Sequence, residues 1–254
     1  MKSGCARTSA PLRGVGRRGK SATRPGRQGR LLGCCAAVLP SACGGWSCPR
    51  AVPVAVLGPR LAGRAGTDRL APRRAPPAAA RAQAVAHPRD AGATVIGVPN
   101  DQRFDAEWAA WANATAVREL DFHDTFLATD FGHPGDNISP LVAVAQQTSK
   151  GGTDLVRAIA VAYEVHVALM KGIGLHVHKK DHVAHLLPGA VAGIGALLEL
   201  PVEIVYHAVN QAVHLGFSTR QSRKGEITSW KAYVPGFSGK TAIAAVARAM
   251  RGEG

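Results

Sequence analysis

Apolar residues recur at helical spacing from about Ala93 onward, and no run alternates convincingly with a period of two. The pattern predicts helices over residues 106–117, 141–147, 154–170, 182–198, 202–215 and 240–250. Punctuation supports these limits. Ser139-Pro140 reads as an N-cap followed by proline at the first helical position, and Pro201 opens the next-to-last helix. Gly151-Gly152 is a break, after which Thr153 is expected to cap the third helix. That helix places Leu155, Ile159, Ala162, Tyr163 and Met170 on one face. Residues 182–198 are apolar nearly all round, which predicts a buried helix loosened by Pro188 and Gly193. Gly252 ends the last helix. Helices joined by short loops predict an all-α domain over residues 92–254.

Residues 1–91 carry no such period. Gly58-Pro59, Pro72 and Pro76-Pro77 interrupt whatever begins. A segment so poor in patterned apolar surface cannot offset the entropy of ordering it, so this N-terminal third is expected to be disordered. Charge sharpens the division. Of the 31 Lys and Arg residues, 17 lie in residues 1–90 with only two acids, whereas residues 91–254 hold 14 basic and 15 acidic residues. The part that folds is near neutral, which excludes a basic nucleic-acid-binding enzyme. No apolar run approaches the ~20 residues of a membrane-spanning helix. Arg-rich, acid-poor composition suits a transit peptide, and Arg17-Arg18 ahead of Leu31-Leu32-Gly33-Cys34 faintly resembles an export signal, but residues 24–30 are no apolar stretch. The favoured reading is a non-native leader, such as a GC-rich coding strand read out of frame. All five cysteines (Cys5, Cys34, Cys35, Cys43, Cys48) fall in it, at spacings that match no zinc template, and no disulfide framework is expected.

Polar residues gather in three loops of the helical part. The first spans Asp121 to Asn137 and contains His123, Asp124, Thr125, His133 and Asp136. The second holds His176, His178, Lys179, Lys180, Asp181, His182 and His185. The third runs from Arg220 through Arg223, Lys224 and Glu226 to Ser229-Trp230-Lys231. His178 and His182 have the i,i+4 spacing of a helix-borne metal pair, but lysines surround them and no HExxH or cysteine partner is present. An anionic-substrate site fits better. Lys and Arg bind carboxylates through charge-assisted hydrogen bonds, and a histidine near neutrality moves protons. Asp121 or Asp124 is available to orient one imidazole. His166, His207 and His214 lie within helices and read as surface or core residues.

Taken in order, these segments are similar to the MmgE/PrpD family, which contains 2-methylcitrate dehydratases and cis-aconitate decarboxylase. The resemblance rests on Asn113 to Thr125 (NATAVRELDFHDT), Gly132-His133-Pro134, Asp136-Asn137-Ile138, Ala158 to Glu164, Asp181-His182-Val183, Arg223-Lys224-Gly225-Glu226 and Ser229-Trp230-Lys231. It covers about residues 92–251. It implies a large helical domain followed by a smaller lid domain, and a homodimeric cytoplasmic enzyme without metal or organic cofactor. The family's catalytic residues fall by motif on Asp121, Thr125, His133, His182 and Lys231, with Lys231, Arg223 and His133 binding substrate. Here the helical domain is expected to be incomplete and the lid absent, an internal piece of such an enzyme that by itself is expected to show little or no activity.

The implied reaction removes water from 2-methylcitrate to give 2-methyl-cis-aconitate, a step of propionate catabolism by the methylcitrate cycle. Such a tricarboxylate needs its carboxylates neutralised, a base for the acidic C–H and an acid for the departing hydroxyl. Lys231, with Arg223 at the rim, suits the first task. His133 and His182 suit the other two, and the sequence does not say which is acid and which base. Decarboxylation of a related tricarboxylate such as cis-aconitate needs the same clamp and one proton donor. The competing class is an inactive or basic-tailed fragment without enzymatic function.

Overall fold

A computed structural model describes residues 75–216, 218–221, 224–225 and 228–254. Its described part is built from helices α1 (Pro76–Ala84), α2 (Ala106–Leu120), α3 (Ile138–Gln147), α4 (Gly152–Gly172), α5 (Val183–Leu197), α6 (Val202–Leu215) and α7 (Trp230–Met250). Strand segment β1 (Pro88–Ala93) bridges to Phe104, and β2 (Phe126–Leu127) pairs antiparallel with β3 (Phe131–Gly132). The all-α expectation holds. None of the described helices is long and apolar enough to cross a membrane.

The expected leader boundary at residue 92 is corrected. Pro76-Pro77, read as a break, instead starts α1, because proline at the first helical positions lacks only an N–H that would be unbonded anyway. Ala80 and Ala84 of α1 are fully buried against the core, and α1 packs on α2. The expectations for residues 1–74, the five cysteines among them, lie outside the described residues.

Alanine and glycine set how closely these helices pack. α5 is buried on almost every side, as its all-round apolar pattern requires. Its Gly189 and Gly193 face α4: a Cβ on Gly193 would stand 2.8 Å from Ala162 Cβ and 3.0 Å from the Ala158 carbonyl oxygen. This close contact buries Ala158, Ala162, His166 and Met170 of α4. Leu155 and Ile159 pack on the core from the same side. α2 lies along α7, and α7 along α5 and α6.

Several limits differ from the pattern. α3 starts at Ile138 behind a 3-10 turn over Pro134–Asn137, so Ser139 lies inside it. Gly151, not Thr153, precedes α4, and Asp154 accepts from the Gly151 N–H. α7 begins ten residues before the predicted start at 240, running through Pro235. His178 and His182 share no helix. Lys179, left-handed with φ 57°, ends a 3-10 turn over His176–His178, and His182 is the N-cap of α5.

Candidate active site

The site begins where α2 stops. Asp121 takes the left-handed conformation (φ 52°, ψ 33°) at the C-cap of α2, one that aspartate tolerates better than most residues. The chain turns back there into the β2–β3 hairpin, whose register pairs Phe126 with Gly132 and Leu127 with Phe131. One residue further along this ladder, Thr125 and His133 meet, and Thr125 Oγ1 lies 3.2 Å from His133 Nδ1.

His133 Nδ1 is also 2.9 Å from the Asp124 carbonyl oxygen. A carbonyl only accepts, so the ring proton sits on Nδ1 and Nε2 carries the lone pair. Burial, then the nearby Arg118 guanidinium, holds the His133 imidazole below its ordinary range. The Asp124 carboxylate is turned elsewhere. It accepts from the Gly135 N–H at 2.8 Å and is hydrogen-bonded by the Tyr163 hydroxyl, which burial and this aspartate push up from its usual range. Asp124 therefore orients His133 through its backbone, not its side chain.

His182 approaches from α5. Its ring meets that of His133 edge-on with centroids 5.5 Å apart, and Phe131 packs on it at 5.0 Å. Its Nδ1 stands 3.2 Å from Asp181 Oδ1, and that carboxylate is buried and also accepts from the Val183 N–H. Gly132 leaves room for this meeting, since a Cβ there would lie 2.7 Å from Met170 Sδ, 3.2 Å from His166 Nε2 and 3.8 Å from His182 Cδ2.

Lys231 occupies the first turn of α7 and pairs with Asp121 through a hydrogen-bonded ion pair. Partial burial pushes the Asp121 carboxyl up, but the Lys231 hydrogen bond, together with the charges of Arg118, Lys231 and His123, holds it below its ordinary value. Four of the motif residues thus fall into two contacts, Thr125–His133 and Asp121–Lys231, with His182 against His133. Arg223 lies outside the described residues.

Sequence reasoning assigned no role to the group that joins these contacts. Arg118, in the last turn of α2, is 2% exposed; its Nε is 3.3 Å from Asp121 Oδ1 and its Nη1 3.6 Å from Asp136 Oδ2. Arg118 Nη1 donates to His123 Nε2 at 3.0 Å, and the His123 ring packs on His133 at 4.7 Å. The available signal was an arginine one turn before Asp121 in a stretch of alanines. His166, read as a core residue, is buried and accepts from Asn137 Nδ2 at 3.0 Å, beside Gly132. His207 and His214 are exposed. Among the described residues no three His, Cys, Asp or Glu side chains are grouped to hold a metal ion.

A cavity of about 360 Å³ lies alongside, lined by Asp181 and Trp230, the sequence neighbours of His182 and Lys231, and by Ser218, Thr219, Phe237 and Ser238. Leu215 and Thr241 also line it.

The sequence profile of the MmgE/PrpD N-terminal domain matches residues 63–254, well over half of the chain. The chain belongs to the MmgE/PrpD family. The match starts upstream of residue 92, in keeping with the ordered α1. The mitochondrial 2-methylcitrate dehydratase of Yarrowia lipolytica is 28% identical over 166 residues, covering 61% of this chain and 32% of that protein. The 2-methylcitrate dehydratase of Escherichia coli K12 is 28% identical over 175 residues, covering 62% and 35%. A probable 2-methylcitrate dehydratase of Saccharomyces cerevisiae is 32% identical over 141 residues, covering 48% and 27%. The chain spans about a third of the length of the curated relatives it matches.

Proposed function

We propose that this MmgE/PrpD chain carries the proton-transfer and carboxylate-binding groups of a 2-methylcitrate dehydratase. The observation that supports this most is the His133 tautomer: Nδ1–H is held by the Asp124 carbonyl, which leaves Nε2 as a base beside the ring of His182. In this reading Lys231 leaves Asp121 to bind a substrate carboxylate. His133 Nε2 takes the proton from the carbon next to the one bearing the hydroxyl. The C–H electron pair becomes the new C=C bond. The C–O bond breaks as His182, protonated on both ring nitrogens with Nδ1–H backed by the Asp181 carboxylate, gives its Nε2 proton to the leaving oxygen and returns to the neutral imidazole as water departs. Thr125 accepts from His133 Nδ1–H and turns its own hydroxyl toward substrate. The product is 2-methyl-cis-aconitate. The protein would serve propionate catabolism by the methylcitrate cycle, as a cytoplasmic homodimer without metal or organic cofactor.

The experiment is to follow 2-methylcitrate with this protein by the ultraviolet absorbance of the unsaturated product, with citrate and cis-aconitate as competing substrates. Water loss from 2-methylcitrate supports the proposal. Release of CO₂ from cis-aconitate in its place assigns the site to the decarboxylase branch. Failure to bind or turn over any of the three overturns it.

A further inference from the structure

The geometry points to Arg118 as the positioning residue that ties the Asp121–Lys231 pair to His133 through Asp136 and His123. This rests on the proposed reading of the site only in that His133 and Asp121 are the groups it positions.

Burying two charges is costly. Arg118 and Asp136 are 2% and 3% exposed, so both charges have left water. Buried charges persist only where partners surround them, and removing one partner strands the other. A hydrophobic pair of similar volume would hold the end of α2 at no such cost, so stability alone is a weak reason for this arrangement. The partners of Arg118 are informative. One edge of the guanidinium faces Asp121, which holds Lys231. The other faces Asp136, which lies in the 3-10 turn that starts directly after His133 and whose N–H donates to the His133 carbonyl at 3.0 Å. Between the two, His123 accepts from Arg118 and lays its ring on that of His133. Asp136 Oδ1 stands 3.1 Å from the same His123 nitrogen. Arginine suits this place because a flat fork reaches two carboxylates and a ring at once, which the single ammonium of a lysine cannot do.

The groups facing His133 are Arg118 from α2, His123 and Asp136 from the flanking loop and turn, His182 from α5 and, through its backbone, Asp124. His166 of α4 lies beyond Gly132. Arg118 is the permanent cation among them, and it acts on both halves of the site with one sign. It favours the ionised Asp121 and the uncharged His133.

The test is a histidine and carboxylate NMR titration of the full chain, without substrate, for wild type, Arg118→Gln and Arg118→Lys, with circular dichroism as the check on folding. His133→Asn and Asp121→Asn assign the signals. In wild type, His133 is the Nδ1–H tautomer at neutral pH. In Arg118→Gln, the His133 and Asp121 midpoints both move up, by about half a unit or more. In Arg118→Lys, one midpoint moves and the other holds, because one ammonium serves one side. Both midpoints unmoved in a folded variant overturn the proposal. If neither variant folds, the wild-type Arg118 Nε–H signal decides: it shifts at the midpoints of Asp121 and His133, and a signal indifferent to both overturns it. A chain with these shifts and no dehydratase turnover retains the positioning role and loses the reaction. Turnover with unmoved midpoints does the reverse.

Discussion

Lys231 and Asp121, separated by 110 residues of sequence, form an ion pair where the start of α7 meets the end of α2. The pair ties two helices together and holds the proposed carboxylate-binding lysine in place. Lys231→Met removes the donor that keeps the Asp121 carboxyl low, so the Asp121 midpoint is expected to rise, as read by carboxylate NMR. Asp121 has a lowered folded-state pKa, so its contribution to stability is present above the unfolded value and fades as pH falls through the folded one. Lys231→Met reduces that contribution and its acid-side loss together, leaving the part that Arg118 and His123 supply. Turnover of 2-methylcitrate is expected to fall by about 10²-fold or more, the scale of losing an electrostatic group.

His133 predicts the acid limb of activity. Its pKa lies below the ordinary 6.5, through burial first and Arg118 second. A base must be unprotonated, so turnover is expected to rise with pH through a midpoint under 6.5 and level off above it. His133→Ala is expected to remove that limb and about 10²–10⁴-fold of rate, the usual range for a general base. A rate that still rises with pH through the same midpoint in His133→Ala would assign the base elsewhere.

The helical architecture was legible because apolar spacing dominates it: α6 begins after Pro201 and ends at Leu215, where the pattern put it. Proline misled at Pro76-Pro77, which reads as a break. Pro76-Pro77 starts a helix and Pro235 sits inside one, where Gly236 lets α7 approach Trp111 so closely that a Cβ would stand 2.9 Å from its carbonyl oxygen. Tertiary packing, absent from local pattern, decides such cases. In the candidate site, motifs singled out Asp121, Thr125, His133, His182 and Lys231, but periodicity could not show that Thr125 and His133 are paired by a hairpin of two-residue strands. Arg118 was illegible as a site residue because a charge on a helix usually faces solvent, and only the packing of α2 turns this one inward.

His166 predicts loss of stability in mild acid. Burial lowers its pKa to about 4, and it accepts from Asn137, so the folded protein keeps it neutral. The unfolded chain takes up this proton near 6.5, so between about 6.5 and 4 the unfolded state binds more protons and stability falls as pH drops. The full difference corresponds to roughly 3 kcal/mol. Urea denaturation of wild type and His166→Gln at pH 7 and pH 5 checks this. The glutamine still offers Asn137 an acceptor but does not titrate, so its loss between the two pH values is expected to be smaller. His133 and His185, also lowered by burial, contribute to what remains.

Two glycines of the α4–α5 pair are expected to respond in opposite directions to the same added methyl group. At Gly193 a Cβ would meet Ala162 Cβ at 2.8 Å, the Ala158 carbonyl oxygen at 3.0 Å and Leu141 Cδ2 at 3.0 Å. Two of these neighbours belong to or adjoin the α4 backbone, and no rotamer change relieves them, so α5 must move off α4. Such overpacking costs about 1–3 kcal/mol. At Gly152, the first residue of α4, an added Cβ meets nothing within 4 Å and the backbone is already helical. Alanine there only restricts the unfolded chain and improves helix propensity, a gain of about 0.4–1 kcal/mol. Thermal or urea unfolding of the two variants measures both. Because His166 lies on the face of α4 that Gly189 and Gly193 approach, the Gly193→Ala shift is also expected to disturb the His166 ring signal, whereas Gly152→Ala leaves it in place. Equal stability of the two variants would mean that α4 and α5 do not pack at the distance described.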